Sequence, residues 1–519
     1  MKVFTLADYY KESSLPVYPE WSEQVIMKNK PFRHQVGDLN FLACYTRCGL
    51  YNQAGTGKTL PAQAYGIWIA SQGNKVVYIM PPVLTTQFSQ SLKGNFKGIE
   101  AAVSIGVLKG YPVKRKAMID KWVDDWPDLL IMSYRMFVNY HTDLKRNGYT
   151  CVVVDEATAV KNATSQLHAA VKVFGGNARK DSNGIVLMTG SPVDTNVSDA
   201  YGLIATIDPD RYGSRKAFEK RHCIFQRKSE DSKYEMIVGY KDYDYLNRSL
   251  FMTGRRILKK DVSDLPPRLI TEIPITLSRK HRELYQQIVD ERLAMVQGRL
   301  LDMTEASALY QAMQRLLISP EQFTDKEINN NLLETLDTLL ETLAGKKVVI
   351  YCWYQNSIEK LKERYKHLNP AVLNGKITGS RRDREKMKFI EDDSCRIILA
   401  NPRSGGVGVD GFQDVSSYVI FAEVCPFVGI FDQAISRLHR TGQKAESVNV
   451  YMLIPTGTIA VKLRNDLLRK DMQQELTVRD KRTILNNLMG DGGMKGSLDE
   501  IPLVSKQLDS AILVDNYQE

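Results

Sequence analysis

Short apolar runs recur along the chain, and segments with a helical pattern separate them. Each run is almost continuously apolar instead of alternating, which is typical of strands buried on both faces of a parallel sheet. The pattern predicts strands at 76–80, 129–132, 151–154 and 185–188 in the first half, and at 348–352, 397–399, 418–421 and 448–453 in the second. Because helical segments alternate with these runs, we expect an α/β protein whose parallel sheets are covered by helices.

The pattern changes between the two sets of runs, from about 197 to 340. This stretch is helical in pattern, charged and rich in tyrosine, and its one apolar strand run is at 270–276. The pair Pro266-Pro267 is a candidate linker, because adjacent prolines stiffen a chain and stop helices. The predicted organisation is an N-terminal lobe at 1–266 with a helical insertion at about 197–262, a C-terminal lobe at 267–484 with a helical insertion at about 278–340, and a loose tail at 485–519.

Composition narrows the class of protein only a little. The 519 residues are 43% apolar and 25% charged, as in an ordinary globular protein of several domains. The net charge of +10 is compatible with binding a polyanion but does not require it. We expect no secretion signal and no membrane helix. The dispersed cysteines argue against a structural zinc site and indicate a reducing, intracellular environment, such as the cytoplasm.

A glycine-rich loop, Ala54-Gly55-Thr56-Gly57-Lys58-Thr59, follows the short run 48–51 and precedes a segment that can be helical. In such a context the backbone amides wrap a phosphate and the helix dipole favours its charge. We expect Lys58 to reach the β- and γ-phosphates of ATP and Thr59 to ligate Mg²⁺. The strict pattern has glycine at the position of Asn52, which makes the loop alone a less specific signal.

An acidic pair, Asp155-Glu156, directly follows the apolar run 151–154. A strand that ends in this way places two carboxylates at the carboxyl edge of the sheet. We expect Asp155 to hold Mg²⁺ through water and Glu156 to orient and deprotonate the attacking water. The alternative, a solvated acidic turn after a strand, is common but is less favoured downstream of a phosphate loop.

Two further segments of the first half carry candidate ligands. Gln35, in Pro31-Phe32-Arg33-His34-Gln35, has an amide that both donates and accepts, which suits the edge of adenine. A glutamine taken alone is more often a surface residue. Thr189-Gly190-Ser191-Pro192 follows the run 185–188, so it belongs to the sheet edge where α/β proteins form their sites.

In the second half, the segment 432–443 predicts one helix that Gly442 ends and that presents Gln433, Arg437 and Arg440 on one face. By themselves, two arginines on one face are more typical of a solvated surface. A γ-phosphate, however, needs positive charge during hydrolysis, and the arginine fork supplies it. The glycine-rich stretch 404–410 allows close approach to phosphates, although a lone loop of this kind is weak evidence.

In this order, the motifs resemble those of superfamily 2 helicases, and most closely the Swi/Snf-like branch of double-stranded DNA translocases. The resemblance covers about 31 to 470. Branch-level similarity lies in Val160-Lys161-Asn162, in Arg440-Thr441-Gly442-Gln443-Lys444 and in the stretch 253–267. The chain departs from the branch at Thr158, where the branch has histidine, and at Asp410, where it often has asparagine.

The resemblance implies two RecA-like lobes that share an ATP site, with ATP and Mg²⁺ as cofactors. It further implies duplex or branched DNA as the partner, with Pro82, Ser133 and Thr189 of the first lobe and Ser404 of the second near the nucleic-acid backbone. A strand-separating helicase on DNA or RNA is the alternative, and a clamp that does not hydrolyse ATP is a third. The chain has no chromatin-reading domains, which favours a compact bacterial or phage enzyme.

Overall fold

The computed structural model describes residues 3–176, 183–193, 196–227, 235–262, 265–291, 293–296, 299–302, 306–377, 379–405, 411–440 and 442–478. The chain divides into two compact units. The first comprises Met1–Leu265 together with Gln473–Asp480, and the second comprises Pro266–Met472. Each unit is built on a parallel sheet of its own.

The strands of the first unit are β1 Ile26–Met27, β2 Arg47–Leu50, β3 Lys75–Met80, β4 Phe96–Lys97, β5 Ile105–Leu108, β6 Leu129–Ser133, β7 Tyr149–Val154, β8 Gly184–Met188, β9 Cys223–Arg227, β10 Glu235–Tyr240 and β11 Gly254–Arg255. Seven of them form a parallel sheet in the order β11-β2-β8-β7-β3-β6-β5. The helices of this unit are α1 Leu6–Glu12, α2 Arg33–Cys44, α3 Thr59–Ala70, α4 Thr85–Asn95, α5 Pro112–Lys121, α6 Tyr134–Arg146, α7 Gln166–Gly175, α8 Ala200–Ile207, α9 Arg215–His222 and α10 Tyr243–Phe251.

The continuous apolar runs follow from a sheet that is covered on both faces. Along β3, Val77 and Ile79 belong to one hydrophobic core. Val76, Tyr78 and Met80 belong to a second core on the opposite face. Successive side chains of a strand point to opposite faces, so a strand between two cores has no position left for a polar residue.

The strands of the second unit are β12 Arg268–Ile275, β13 Leu293–Val296, β14 Arg299–Asp302, β15 Val348–Tyr351, β16 Ala371–Leu373, β17 Ile397–Ala400, β18 Tyr418–Phe421 and β19 Val448–Pro455. Six of them form a parallel sheet in the order β12-β19-β18-β15-β17-β16. The helices of this unit are α11 Arg279–Glu291, α12 Ala306–Ile318, α13 Asn331–Thr342, α14 Gln355–Arg364, α15 Gly379–Glu391, α16 Pro402–Gly405, α17 Val428–Ile435 and α18 Ile459–Val478. The part of α18 from Gln473 onwards belongs to the first unit. None of the helices in the described ranges is both long enough and apolar enough to span a bilayer.

The predicted α/β class with helix-covered parallel sheets is confirmed, and all eight strands predicted from apolar runs are present. The prediction that the segment between the two sets is helical, apart from one apolar run, is wrong at two places. Strands β9 and β10 form one antiparallel hairpin there, and β13 and β14 form another. The β9–β10 hairpin is largely exposed, so it has no buried face to impose a continuous apolar run.

A buried carboxyl group stabilises the start of α14 in the second unit. Glu423, just after β18, accepts hydrogen bonds from the backbone N–H groups of Trp353 and Tyr354, at 2.5 and 3.0 Å, and from the hydroxyl of Ser357 at 2.6 Å. Burial raises the pKa of Glu423 from 4.5 to about 7, although these three donors oppose the shift. The fold therefore favours the protonated carboxyl in that pH range.

Because folding raises the pKa of Glu423, we expect the stability of the protein to depend on pH, and a substitution of Glu423 should reduce this dependence. Folding takes up a proton between pH 4.5 and about 7, so the Glu423 contribution to the free energy of unfolding falls as the pH rises through that window. The fall is at most about 3 kcal/mol. We expect Glu423→Gln to show a smaller difference in unfolding midpoint between pH 5 and pH 8 than the unmodified chain. An identical difference in both proteins would contradict the assignment.

Candidate nucleotide-binding site

The predicted phosphate loop connects β2 to the N-terminus of α3, which begins at Thr59. Gly55 and Gly57 have φ angles of +87° and +82°, a left-handed conformation that side chains disfavour. Thr56 closes the turn, because its hydroxyl donates to the Gln53 carbonyl over 2.9 Å. The loop therefore combines left-handed glycines with a helix N-terminus, the arrangement that binds anionic phosphate.

The Lys58 side chain bends back towards the residues that follow β2. Its Nζ donates to the carbonyl oxygens of Asn52 at 2.7 Å and Gln53 at 3.4 Å. Burial lowers the pKa of Lys58, while the negative charges of Glu156 and Asp155 oppose the shift. The lysine and the acidic pair thus interact at one edge of the sheet, as the sequence predicts for a phosphate and metal site.

Gln35 lies beside the phosphate loop, at the start of α2. Its side-chain oxygen accepts from the backbone N–H of Phe32 at 2.9 Å, and its nitrogen donates to the Gly57 carbonyl at 3.0 Å. His34 contacts the Thr56 carbonyl through Nε2 at 2.8 Å. Gln35 is buried and braces the loop, and its contact with adenine stays a prediction.

The acidic pair follows β7 in a constrained backbone. Glu156 has a φ angle of +50°, which is uncommon for a residue other than glycine. Its N–H donates to the Asp155 carboxylate at 3.0 Å. The hydroxyl of Tyr134 donates to the backbone carbonyls of Asp155 and, at 3.2 Å, of Glu156. These contacts fix the direction in which both carboxylates leave the sheet.

Tyr134 is a positioning residue that the sequence analysis did not identify. It begins α6, directly after β6. Burial, and then the charges of Asp155 and Glu156, raise the pKa of its hydroxyl, so the hydroxyl remains a donor. A tyrosine at the carboxyl end of a parallel strand was the available signal, but nothing local to it indicates which strand it contacts.

The four residues predicted to contact nucleic acid differ in burial and in the element that carries them. Pro82 is exposed at the start of a short 3₁₀ helix, and Ser133 is half-buried at the end of β6. Thr189 is only 1% exposed, and its hydroxyl accepts from the Ser191 N–H at 3.1 Å. Ser404 belongs to the short helix α16, and its side chain lies outside the described residues. All four contacts stay predictions.

Gly190 brings the segment after β8 against the phosphate loop. A Cβ atom added to Gly190 would lie 2.9 Å from the backbone nitrogen of Ala54, which is closer than real Cβ contacts allow. A glycine is therefore required for this approach. This contact is consistent with the prediction that 189–192 lies at the carboxyl edge of the sheet, where the phosphate loop also lies.

The helix predicted over the arginine segment is shorter than expected. Helix α17 ends at Ile435, and the following residues form turns instead of continuing to Gly442. The N–H groups of Arg437 and Leu438 bond to carbonyls three residues earlier, at 3.3 and 3.0 Å, whereas that of His439 bonds to the Ile435 carbonyl four residues earlier, at 3.0 Å, so the segment is an irregular series of turns. Gln433 lies on α17, whereas Arg437 and Arg440 lie on these turns, so the three do not share one helix face.

The turns are anchored within the second unit. His439 Nε2 contacts the Pro266 carbonyl at 2.9 Å. On α17, Asp432 forms a buried ion pair with Arg268 at 3.3 Å. The positions of Arg437 and Arg440 are therefore set by contacts with Arg268 of β12 and with Pro266, two residues before that strand. Thr441 and the glycine-rich stretch 406–410 lie outside the described residues.

A phosphate loop and an acidic pair at the carboxyl edge of one parallel sheet define a nucleotide-binding α/β protein. The chain belongs to the family of the SNF2-related domain, whose model matches residues 50–337. The helicase conserved C-terminal domain matches residues 331–442. The resemblance to the Swi/Snf-like branch is thereby confirmed.

Curated relatives are similar over most of this chain. A TATA-binding protein-associated factor of Saccharomyces cerevisiae is 25% identical over 76% of this chain and 24% of that protein. A CHD3-type chromatin-remodeling factor of Arabidopsis thaliana is 25% identical over 68% of this chain and 29% of its own length. An ATP-dependent helicase of Mycoplasma genitalium is 24% identical over 67% of this chain and 33% of its own length. The chain thus spans about a quarter to a third of the length of these relatives.

Among solved structures, the Sulfolobus solfataricus SWI2/SNF2 ATPase core in complex with double-stranded DNA is similar to this chain. The two are 18% identical, with a TM-score of 0.39. The similarity covers 89% of this chain and 97% of that one.

Proposed function

We propose that this chain hydrolyses ATP and couples the hydrolysis to movement along duplex or branched DNA. The observation that carries the proposal is a loop with left-handed Gly55 and Gly57 at the start of α3, together with the pair Asp155-Glu156 directly after β7 of the same parallel sheet. This is the combination of groups that binding and hydrolysis of a nucleoside triphosphate require.

The residues of the first unit suit Mg²⁺ and ATP. A hydroxyl and a carboxylate, from Thr59 and Asp155, are the oxygen ligands that Mg²⁺ takes when phosphates and waters complete its shell. When bound, the ion would neutralise charge on the phosphates. In our proposal Gly55, Thr56 and Gly57 present backbone groups to the phosphates, Lys58 turns from its carbonyl partners towards them, and Glu156 accepts a proton from the attacking water.

In the same proposal, Arg437 and Arg440 of the second unit supply positive charge to the γ-phosphate, and Gln433 contributes to nucleotide binding. The membership of the SNF2-related family and the match to the helicase C-terminal domain support this assignment. Repeated rounds of hydrolysis would then move the two units along one strand, with phosphate contacts holding the nucleic acid. Binding of this type is sensitive to salt and largely independent of sequence.

The proposal predicts which nucleic acid stimulates the ATPase. We expect duplex DNA to raise kcat for ATP about tenfold or more, and single-stranded DNA or RNA to do less, because productive closure requires the preferred nucleic acid. Parallel assays with 40-base-pair DNA, its separate strands and the matching RNA duplex test this. The control is the same series at high salt, where stimulation should disappear. Strong stimulation by RNA alone would overturn the choice of DNA.

A strand-separating helicase is the second candidate, and the β9–β10 hairpin favours it. Ile224, Met236 and Val238 are each more than 40% exposed on this two-stranded ribbon. Exposed apolar side chains of this kind can insert between bases. ATP-dependent release of a labelled strand from a forked duplex would support this candidate, while ATPase stimulation and translocation without release would support the first.

A further inference from the structure

Three charged or polar side chains are joined by hydrogen bonds next to the phosphate loop. The Asn52 amide donates to one oxygen of the Asp38 carboxylate at 2.7 Å. Arg255 Nε donates to the other oxygen at 2.8 Å. Asp38 and Asn52 are fully buried, and the Arg255 side chain is one-third exposed. We call Asp38, Asn52 and Arg255 the loop triad.

The triad joins three separate parts of the first unit. Asp38 lies on α2, Asn52 precedes the phosphate loop, and Arg255 lies on β11. Burial raises the pKa of Asp38, and its bonds to Asn52 and Arg255 oppose that shift. A buried carboxylate that keeps its charge depends on such donors, so removing one of them is costly. The triad therefore holds its three elements in one fixed arrangement.

The segment that carries Arg255 runs along the phosphate loop. Strand β11 pairs with β2 in parallel, with Gly254 opposite Gly49. Beyond it, the Gln53 N–H donates to the Ile257 carbonyl at 2.9 Å, and the Lys259 N–H donates to the Gln53 side chain at 3.0 Å. This segment comes shortly before Leu265, where the first and longer stretch of this unit ends.

Arg256, the next residue, adds a second set of contacts. Its Nη1 donates to the carbonyls of Tyr51 at 2.6 Å and Gly190 at 3.3 Å. These carbonyls follow β2 and β8, so the segment 253–259 contacts both the phosphate loop and the turn that packs on it. The loop triad is the charged part of this attachment.

Asn52 connects the triad to the phosphate-binding lysine. Its side chain bonds to Asp38, while its backbone carbonyl accepts from Lys58 Nζ at 2.7 Å. The side-chain oxygen of Asn52 is buried and forms no hydrogen bond within the described ranges. The hydrogen bond from the amide nitrogen to Asp38 therefore fixes the Asn52 side chain. If residue 52 were an aspartate, its carboxylate would face that of Asp38.

We infer that the loop triad is a positioning device for ATP binding: Asp38 and Arg255 fix Asn52, and Asn52 sets the starting position of Lys58. The inference deepens the proposed function and rests on it. Asp38 and Arg255 act through Asn52, so they are positioning residues and not catalytic ones. The predicted consequence is a coupling between positions 38 and 52 that appears in nucleotide affinity.

The test is a cycle of Asn52→Asp, Asp38→Asn and the double variant, which exchanges the two residue types. Asn52→Asp places two carboxylates together, so we expect KM for ATP at pH 8 to rise roughly tenfold or more. Because the double variant restores one carboxylate and one amide, it should recover most of that loss. Kd for a non-hydrolysable ATP analogue is expected to follow KM, while kcat changes less than twofold.

Asn40→Asp is the matched control, since it makes the same change on α2 at a half-buried residue that donates to the Ser13 carbonyl at 2.8 Å. It should alter stability without altering KM. An unchanged KM and Kd in Asn52→Asp, or a double variant no better than the single one, overturns the inference. A lowered unfolding midpoint with unchanged KM indicates a structural role only and also overturns it.

The same experiments can overturn the proposed function and the triad inference independently of each other. If the unmodified chain binds the analogue but hydrolyses no ATP, the proposed function is overturned while the cycle in Kd still tests the triad. If it hydrolyses ATP and the cycle shows no coupling, only the triad inference is overturned. A chain that binds no nucleotide overturns both.

Discussion

Glu156→Gln is expected to lower kcat for ATP hydrolysis by roughly a thousandfold while ATP binding persists. The carboxylate follows β7 with a left-handed backbone, and the carbonyls around it are held by Tyr134. Glutamine preserves the size and hydrogen-bonding capacity of the side chain but cannot accept the proton of the attacking water. The measurement is single-turnover hydrolysis together with equilibrium binding of ATP.

Lys58→Ala is the informative comparison for this variant. Removing Nζ takes away the charge that we assign to the β- and γ-phosphates, so both affinity and turnover should be lost. The pair of variants thus separates binding from chemistry within one site. Undiminished ATPase in either variant would show that the site is assigned to the wrong residues.

The parts of this site that the sequence predicts are those marked by a pattern of residues close together in the chain. The glycines of the phosphate loop follow a strand and precede a helix, and Asp155 and Glu156 directly end a buried strand. Such patterns need no knowledge of distant contacts. The two parallel sheets are equally predictable from the sequence, because burial on both faces leaves a continuous apolar run in each main strand.

The remaining features depend on contacts between distant residues. Asp38, Asn52 and Arg255 are far apart in the sequence, and only the pairing of β11 with β2 brings Arg255 to the loop. The short strand β11 has no apolar signal of its own. The early end of α17 was missed for a related reason, since the residues after Ile435 have no glycine or proline before Gly442 to mark it.

This early helix end changes how the two arginines are to be tested. On a single helix face they would act as one patch, and one substitution would be partly compensated by the other. Because Arg437 and Arg440 lie on turns and not on one regular helix, we expect unequal contributions. The anchors of these turns, His439 on the Pro266 carbonyl and Asp432 on Arg268, keep the backbone in place when either arginine is changed.

We therefore expect Arg437→Ala and Arg440→Ala to differ, with the larger loss of kcat on the order of a thousandfold or more, as for an arginine finger. Lysine at the same position should fail to restore activity, because it lacks the planar fork that pairs with phosphate oxygens. Arg464→Ala is the matched control. Arg464 lies on α18 and pairs with Glu272 at 2.7 Å, so its loss should leave kcat unchanged.

The outcome also discriminates between the functions considered for the chain. If both arginine variants keep full ATPase activity, the second unit does not contribute to hydrolysis, and the proposed coupling of hydrolysis to movement loses its mechanism. If one variant abolishes hydrolysis while ATP binding by the first unit is retained, the second unit supplies chemistry and not affinity. A clamp that only binds nucleotide would show neither loss, because it has no turnover for an arginine to accelerate.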